Sequence, residues 1–246
     1  MNKDVSQALT GIARAYGLMA ADAVFWSGVT VLYLGWAAIL LRLPFVGEVL
    51  LVLVTPAAAA GVLREADTPR PGRPFWPRAG QVLVGALRDH DLALPVMSVA
   101  TIALGAWVFV TVLAMILGID GLTLSGIFAY RTPVARLFTG LLLLLFWATE
   151  TGLVMTALYV LAGIVRGGLR PVAALEYALD RWREQPVLIA LQGALLVLPL
   201  ILAFYAGAWL SAAVAFATLI PLNLAVSVCH GGLKGTAAPS RSPLGT

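Results

Sequence analysis

The chain has 246 residues, 61% of them hydrophobic and only 11% charged, with a net charge of +4 and a mean hydropathy of +0.94. A soluble domain needs roughly twice that share of charge to cover its surface, so the soluble globular class is excluded. The long apolar runs do not alternate, which excludes a transmembrane β-barrel, and a single cysteine, Cys229, excludes an internal disulfide.

The expected class is all-α: a polytopic membrane protein of six transmembrane helices, arranged as three hairpins. Each hairpin is preceded by an amphipathic helix at the cytoplasmic interface. The first such helix carries Val5, Ala8, Leu9, Ile12 and Tyr16 on one face and Asp4, Gln7 and Arg14 elsewhere. Span one follows at 23–41. It is not followed by a small-residue cleavage site, so no cleaved signal is expected.

Span two covers 46–63. Glu48 lies near its outer end, within reach of Arg42 as a rim ion pair. Pro56 opens the run "PAAAAG", whose small side chains let helices approach closely. The stretch "READTPRPGRPFWPR" is rich in proline and charge and reads as a linker. A second amphipathic segment sets Val82, Leu83, Ala86 and Leu87 against Arg78, Gln81, Arg88 and Asp89. His90, in "RDHD", reads as a solvated residue at the membrane interface.

Span three covers 92–118. The outer loop "IDGLTLSGIFAYR" is apolar enough to lie against the membrane surface. Span four covers 137–165 and ends at Gly163 and Gly167. Glu150 sits in its middle, about 20 Å from either end at helical rise. Thr149, Thr151, Tyr159, Thr101 and Thr111 are its candidate hydrogen-bond partners. Two readings of this carboxyl stay open. One is a proton-linked or cation-contacting site. The other is a neutral, hydrogen-bonded contact between helices.

The third amphipathic segment, "PVAALEYALDRWREQP", starts with Pro171 at a helix N-terminus. Leu175, Ala178, Leu179 and Trp182 form its apolar stripe. Glu176, Asp180, Arg183 and Glu184 form its polar one. The last apolar block, Pro186 to Val228, is too long for one helix and splits near Tyr205-Ala206-Gly207 into spans five and six. Gln192 and Asn223 are amides within them, placed to bond across helices. Pro199 and Pro221 are candidate kinks. Gly207, Ser211 and Ala215 recur every four residues as a close-packing stripe. One membrane domain thus covers 1–232, in units of about 1–66, 74–167 and 169–232. The tail over 233–246 is expected to be disordered and cytoplasmic.

Charge sets the direction. With six spans, 13 of the 16 basic residues fall on the side of the termini. Only Arg42, Arg131 and Arg136 fall on the other. The positive-inside rule then puts both termini in the cytoplasm. Arg14, Arg78, Arg88, Arg170, Arg181 and Arg183 lie on the interfacial helices, where anionic lipid headgroups would meet them favourably. Trp26, Trp76 and Trp182 fit the same interface. Nothing points to nucleic acid or a cofactor.

Enzyme signals are weak. Cys229 and His230 are adjacent, and His90 is the other histidine. No metal-ligand spacing, catalytic triad or phosphate loop stands out.

The stretches "LPFVGEVLLVLVTPAAAAGVLREAD" and "PVAALEYALDRWREQP" carry a resemblance. The chain resembles a family of uncharacterised bacterial inner-membrane proteins, catalogued from Burkholderia as six-span proteins. More loosely, it is similar to the membrane domain attached to some glycerophosphodiester phosphodiesterases, and to small membrane proteins found beside carbohydrate-utilisation genes. The resemblance implies six spans in the bacterial inner membrane and carries over no catalytic residue. The family's asparagine near the end of the third interfacial helix is matched here by Glu184-Gln185.

Three functions follow from these residues. The first is a non-enzymatic membrane protein acting as an accessory, scaffold or regulatory component of another membrane system. Its partner would be another membrane protein or a second copy of itself. The second is a small-solute or lipid transporter using Glu150. The third is an intramembrane enzyme, resting on Glu150 and Cys229-His230.

Overall fold

Apolar and amphipathic runs alike close their backbone hydrogen bonds locally, and the described residues are helix almost throughout. A computed structural model describes residues 3–40, 42–43, 46–69, 72–116 and 132–194. Among these, 91% are helical and none is in a strand, as the all-α expectation requires.

The helices are α1 (Lys3–Ala21), α2 (Ala23–Leu40), α3 (Val46–Asp67), α4 (Phe75–Arg88), α5 (His90–Ile116), α6 (Pro133–Gly167) and α7 (Pro171–Glu184). A further helix, α8, runs over 186–194. The three amphipathic segments are α1, α4 and α7. The apolar segments Ala23–Leu40, Val46–Asp67 and His90–Leu113 are each long and apolar enough to cross a membrane. The expected fourth span lies within the 35-residue α6. The outer loop, the parts of spans five and six beyond 194 and the tail lie outside the described residues. So do Asn223, Pro199, Pro221, Gly207, Ser211, Ala215, Cys229 and His230.

Local chemistry sets the helix ends. Thr132 caps α6 by accepting a hydrogen bond from the Ala135 N–H at 3.3 Å, with Pro133 in the first turn. Gly168 stops α6 in the left-handed region at φ 60°. Gly163 and Gly167, read from sequence as the end of span four, are still helical. The expected linker is also shorter than the sequence suggests. Arg64-Glu65-Ala66-Asp67 form the last turns of α3, and Phe75 to Arg78 form the first turn of α4. Arg64, Glu65, Asp67 and Arg78 each pair with an opposite charge elsewhere in the bundle, as detailed below.

The centre of the bundle is α3, which packs against α2, α4, α5 and α6. Its second half, from Pro56 to Leu63, is wholly buried. Small side chains make this possible. A Cβ placed on Gly61 would lie 1.8 Å from the Val82 carbonyl oxygen, so α4 crosses α3 at backbone contact. One core cluster joins Ala57, Ala60 and Leu63 to Val96, Met155, Tyr159 and Ile164. A second joins Phe25, Trp26 and Val29 to Val62, Ala79 and Val82. Trp26 is therefore a core residue, packed edge-on to Phe25 at 5.2 Å. Trp76 is exposed.

Among the described residues, packing is concentrated at one end. The start of α5 is buried at Val96, Val99 and Ala100, and the later part of α6 from Met155 to Ile164. Towards the other end, Phe109, Ile116, Leu137, Leu141 and Leu144 are all more than half exposed. So large an apolar surface would be unstable in water and is the surface a lipid-facing helix presents.

Candidate functional site

The packed end of the bundle is also its charged end. Arg78, in the first turn of α4, is buried at 4% exposure. Its Nε donates to Glu65 Oε1 at 2.6 Å and its Nη1 to Asp22 Oδ2 at 2.5 Å. Its guanidinium also lies over the Phe25 ring, 3.6 Å from the centroid. Burial alone would lower the Arg78 pKa. The hydrogen bonds and charges of Asp22 and Glu65 outweigh it and raise the pKa above its usual value, so the side chain stays cationic. Asp22 lies at the break between α1 and α2, and Glu65 lies in α3. One arginine thus ties α4 to both.

Two further ties flank it. Arg166, near the end of α6, holds Asp67 through two hydrogen bonds, one from Nε at 2.7 Å and one from Nη2. Arg64 donates to Asp89, between α4 and α5, at 2.8 Å. All three ties meet the last turns of α3, the segment read from sequence as the start of a linker. A cavity of about 520 Å³ opens beside Arg78, lined by Leu18, Phe25, Phe75 and Arg73 among others.

The arginines assigned to headgroups therefore divide. Arg14, Arg88, Arg170 and Arg183 are exposed, with Arg183 paired to Asp180 on its own helix. Arg181 is half-buried. It donates to the Tyr177 hydroxyl and to Glu184, each at 3.2 Å. Burial raises the Tyr177 pKa, against the lowering effect of Arg181, so the phenol stays protonated. Arg78, by contrast, is buried, with Glu65 and Asp22 as its hydrogen-bond partners. The rim pair is also absent: Glu48 and Arg42 are both exposed and no ion pair joins them. His90 is fully exposed, as a solvated residue would be.

Of the expected midplane site, Thr149, Thr151 and Gln192 have described side chains. Glu150 belongs to α6, but its side chain lies outside those described. Thr149 is exposed and donates to the Leu145 carbonyl one turn back, at 2.9 Å. Thr101 likewise donates to Met97, at 2.9 Å. Both protons are engaged within their own helices. Thr151 and Gln192 do lie at one contact, between α6 and α8. A Cβ on Gly193 would sit 2.7 Å from Thr151 Cγ2. Beside it, the buried Tyr159 hydroxyl donates to Gln192 Oε1 at 2.8 Å. That is the cross-helix amide bond expected of Gln192. Among the described residues, Gln192 Nε2 is buried with no partner.

A second concavity lies higher in the bundle, between α3, α5 and α6. It is a groove of about 410 Å³, and α7 closes its lower end with Pro171 and Leu175. Its two wall hydroxyls are engaged. Thr55 donates to the Leu51 carbonyl at 2.6 Å and so accepts from the Tyr33 hydroxyl at 2.7 Å. Thr156 donates to Gly152 and accepts from the Trp182 indole N–H at 3.1 Å.

Sequence reasoning missed Asp22, Glu65, Asp67 and Asp89. The available signal was their position: all four acids fall on the same predicted side as the arginines they bind. Among the described residues, no three His, Cys, Asp or Glu side chains gather as a metal site would need. Comparison with protein-family models, with curated proteins and with solved structures finds no match in any of the three.

Proposed function

We propose that this chain is a non-enzymatic integral membrane protein of the bacterial inner membrane. It crosses six times as three hairpins, each preceded by an interfacial helix, with both termini in the cytoplasm. Its role is that of an accessory, scaffold or regulatory component of another membrane system. Within this reading it belongs with the uncharacterised six-span family that its sequence resembles. The observation that carries the proposal is the set of ties Asp22–Arg78–Glu65 and Asp67–Arg166. They join the first helical unit to the second at the charged end, through side chains that are mostly buried. Alternating access needs one unit to rock against another. Units pinned by buried ion pairs suit a fixed platform better, because separating them would strand charges in a medium of low dielectric.

The platform's outer surface fits the same role. On α7, Ala174 and Ala178 are buried against the bundle, while Val172, Leu175 and Leu179 are left exposed beside charged residues. Such a helix lies on the acyl boundary with its charges in water. The second reading, a transporter of lipid or small solute using Glu150, draws its support from the groove beside α6.

Co-purification from native membranes in mild detergent tests the proposal. A protein recovered in fixed stoichiometry with the chain is the expected result. Recovery of the chain alone with a retained solute would replace the scaffold reading with the transporter.

A further inference from the structure

The groove between α3, α5 and α6 has a shape and a chemistry that the platform role does not need. Its wall runs from Leu51 to Ala59 on α3, from Val99 to Trp107 on α5 and from Leu153 to Leu161 on α6. Each stretch covers eight residue steps, about 12 Å at helical rise. One leaflet of hydrocarbon is about 15 Å deep. The hollow exists because Ala59, Ala103, Ala106 and Ala157 face it, and none of them is long enough to fill it.

The rim is open. Ile102, Val154 and Leu175 all line the groove and are all exposed. The wall hydroxyls of Thr55 and Thr156 are held within the protein, so they offer a hydrophilic solute little. At the lower end, Pro171 and Leu175 belong to the first two turns of α7. Arg170, the residue just before Pro171, is exposed and makes no ion pair among the described residues.

We propose that this groove binds one acyl chain of a phospholipid from the leaflet at the charged end, with the lipid's anionic headgroup at Arg170. The proposal rests on the membrane placement given above. The occupant is a lipid tail because the groove matches one leaflet in depth, is apolar along its wall and opens sideways at membrane depth, and because Arg170, next to the lining residue Pro171, is a cation in no ion pair among the described residues. An anionic headgroup complements that cation, whereas a zwitterionic one gains less from it.

The test uses the full chain in lipid nanodiscs, with phosphatidylglycerol or phosphatidylcholine carrying a diazirine on one acyl chain. After photolysis, labelled peptides are located by mass spectrometry. The expected result is label concentrated on the groove wall, near 102–107 and 153–158. Label there should exceed that at Phe109 and Leu144, which are exposed but outside the groove. Ala106→Trp, which fills the hollow, should remove the groove label while leaving Phe109 labelled. Arg170→Gln should abolish the preference for phosphatidylglycerol over phosphatidylcholine.

Equal labelling of the groove, Phe109 and Leu144 in the unmodified chain would overturn the proposal while leaving the membrane placement intact. That comparison does not depend on any variant folding. Disulfide trapping of the groove wall to this chain's own residues 195–228 would also overturn it, since the hollow would then be filled from within. Absence of label from every apolar helix would count against the membrane placement itself.

Discussion

Removing Arg78 is the sharpest perturbation of the charged end. Arg78 and its partner Glu65 are 4% and 5% exposed, and Asp22 is only partly covered. In Arg78→Ala, Asp22 can recover water, but buried Glu65 loses the guanidinium that pairs with it. Breaking a buried pair in this way costs about 3–5 kcal/mol. That is a hundredfold or more in the folded-to-unfolded ratio, at roughly tenfold per 1.4 kcal/mol. Arg64→Ala removes the same side chain from the same end of the bundle. The Arg64–Asp89 pair is substantially exposed, so its loss should cost at most about 1 kcal/mol. The assay is unfolding in mixed micelles by sodium dodecyl sulfate titration, followed by tryptophan fluorescence. Trp26 lies beside Phe25, and Phe25 beneath the Arg78 guanidinium, so it reports on the site directly. The triple replacement Asp22→Asn, Glu65→Leu and Arg78→Met should recover most of the loss, because an uncharged set of similar volume leaves no charge buried. If Arg78→Ala and Arg64→Ala destabilise equally, the claim that burial sets the strength of these ties is refuted.

Three further outcomes follow from the packing. Gly61→Ala should prevent stable folding, because the new methyl meets the Val82 carbonyl oxygen, whereas Gly105→Ala, where a Cβ meets nothing within 4 Å, should leave the unfolding midpoint unchanged or slightly raised. Tyr159→Phe should destabilise by about 1 kcal/mol in the same titration, through loss of the hydrogen bond to Gln192. If the Glu150 carboxyl works only as a neutral hydrogen-bonding group, Glu150→Gln should match the unmodified chain in stability and in partner recovery; loss of partner recovery with stability intact would assign the proton a role.

What could be read from sequence was whatever depends on neighbours along the chain. Hydropathy alone marks spans at 23–41, 46–63 and 92–118, and helices occupy 23–40, 46–67 and 90–116. Helical periodicity likewise marks α1, α4 and α7. The ties at the charged end escape such windows, since Asp22 is 56 residues from Arg78 and Asp67 is 99 from Arg166. Counting arginines by side gave them a common depth, and from depth alone a headgroup is as good a partner as a carboxylate. Small residues show the same limit. Ala57, Ala60 and Gly61 bring helices together as their size suggests. Ala59, Ala103, Ala106 and Ala157 have the same small size and instead leave a groove between the helices they face. Which outcome a small side chain produces depends on what lies across from it, and that is a property of the fold.

The most direct test of the account is the sidedness of the segment between α3 and α4. In a Cys229→Ser background, Arg73→Cys and Ser125→Cys are each treated with a membrane-impermeant maleimide in intact spheroplasts and again after permeabilisation. A cytoplasmic charged end requires that Ser125→Cys is labelled at once and Arg73→Cys only after permeabilisation. Labelling of Arg73→Cys in intact spheroplasts would put the charged end outside the cell and contradict it.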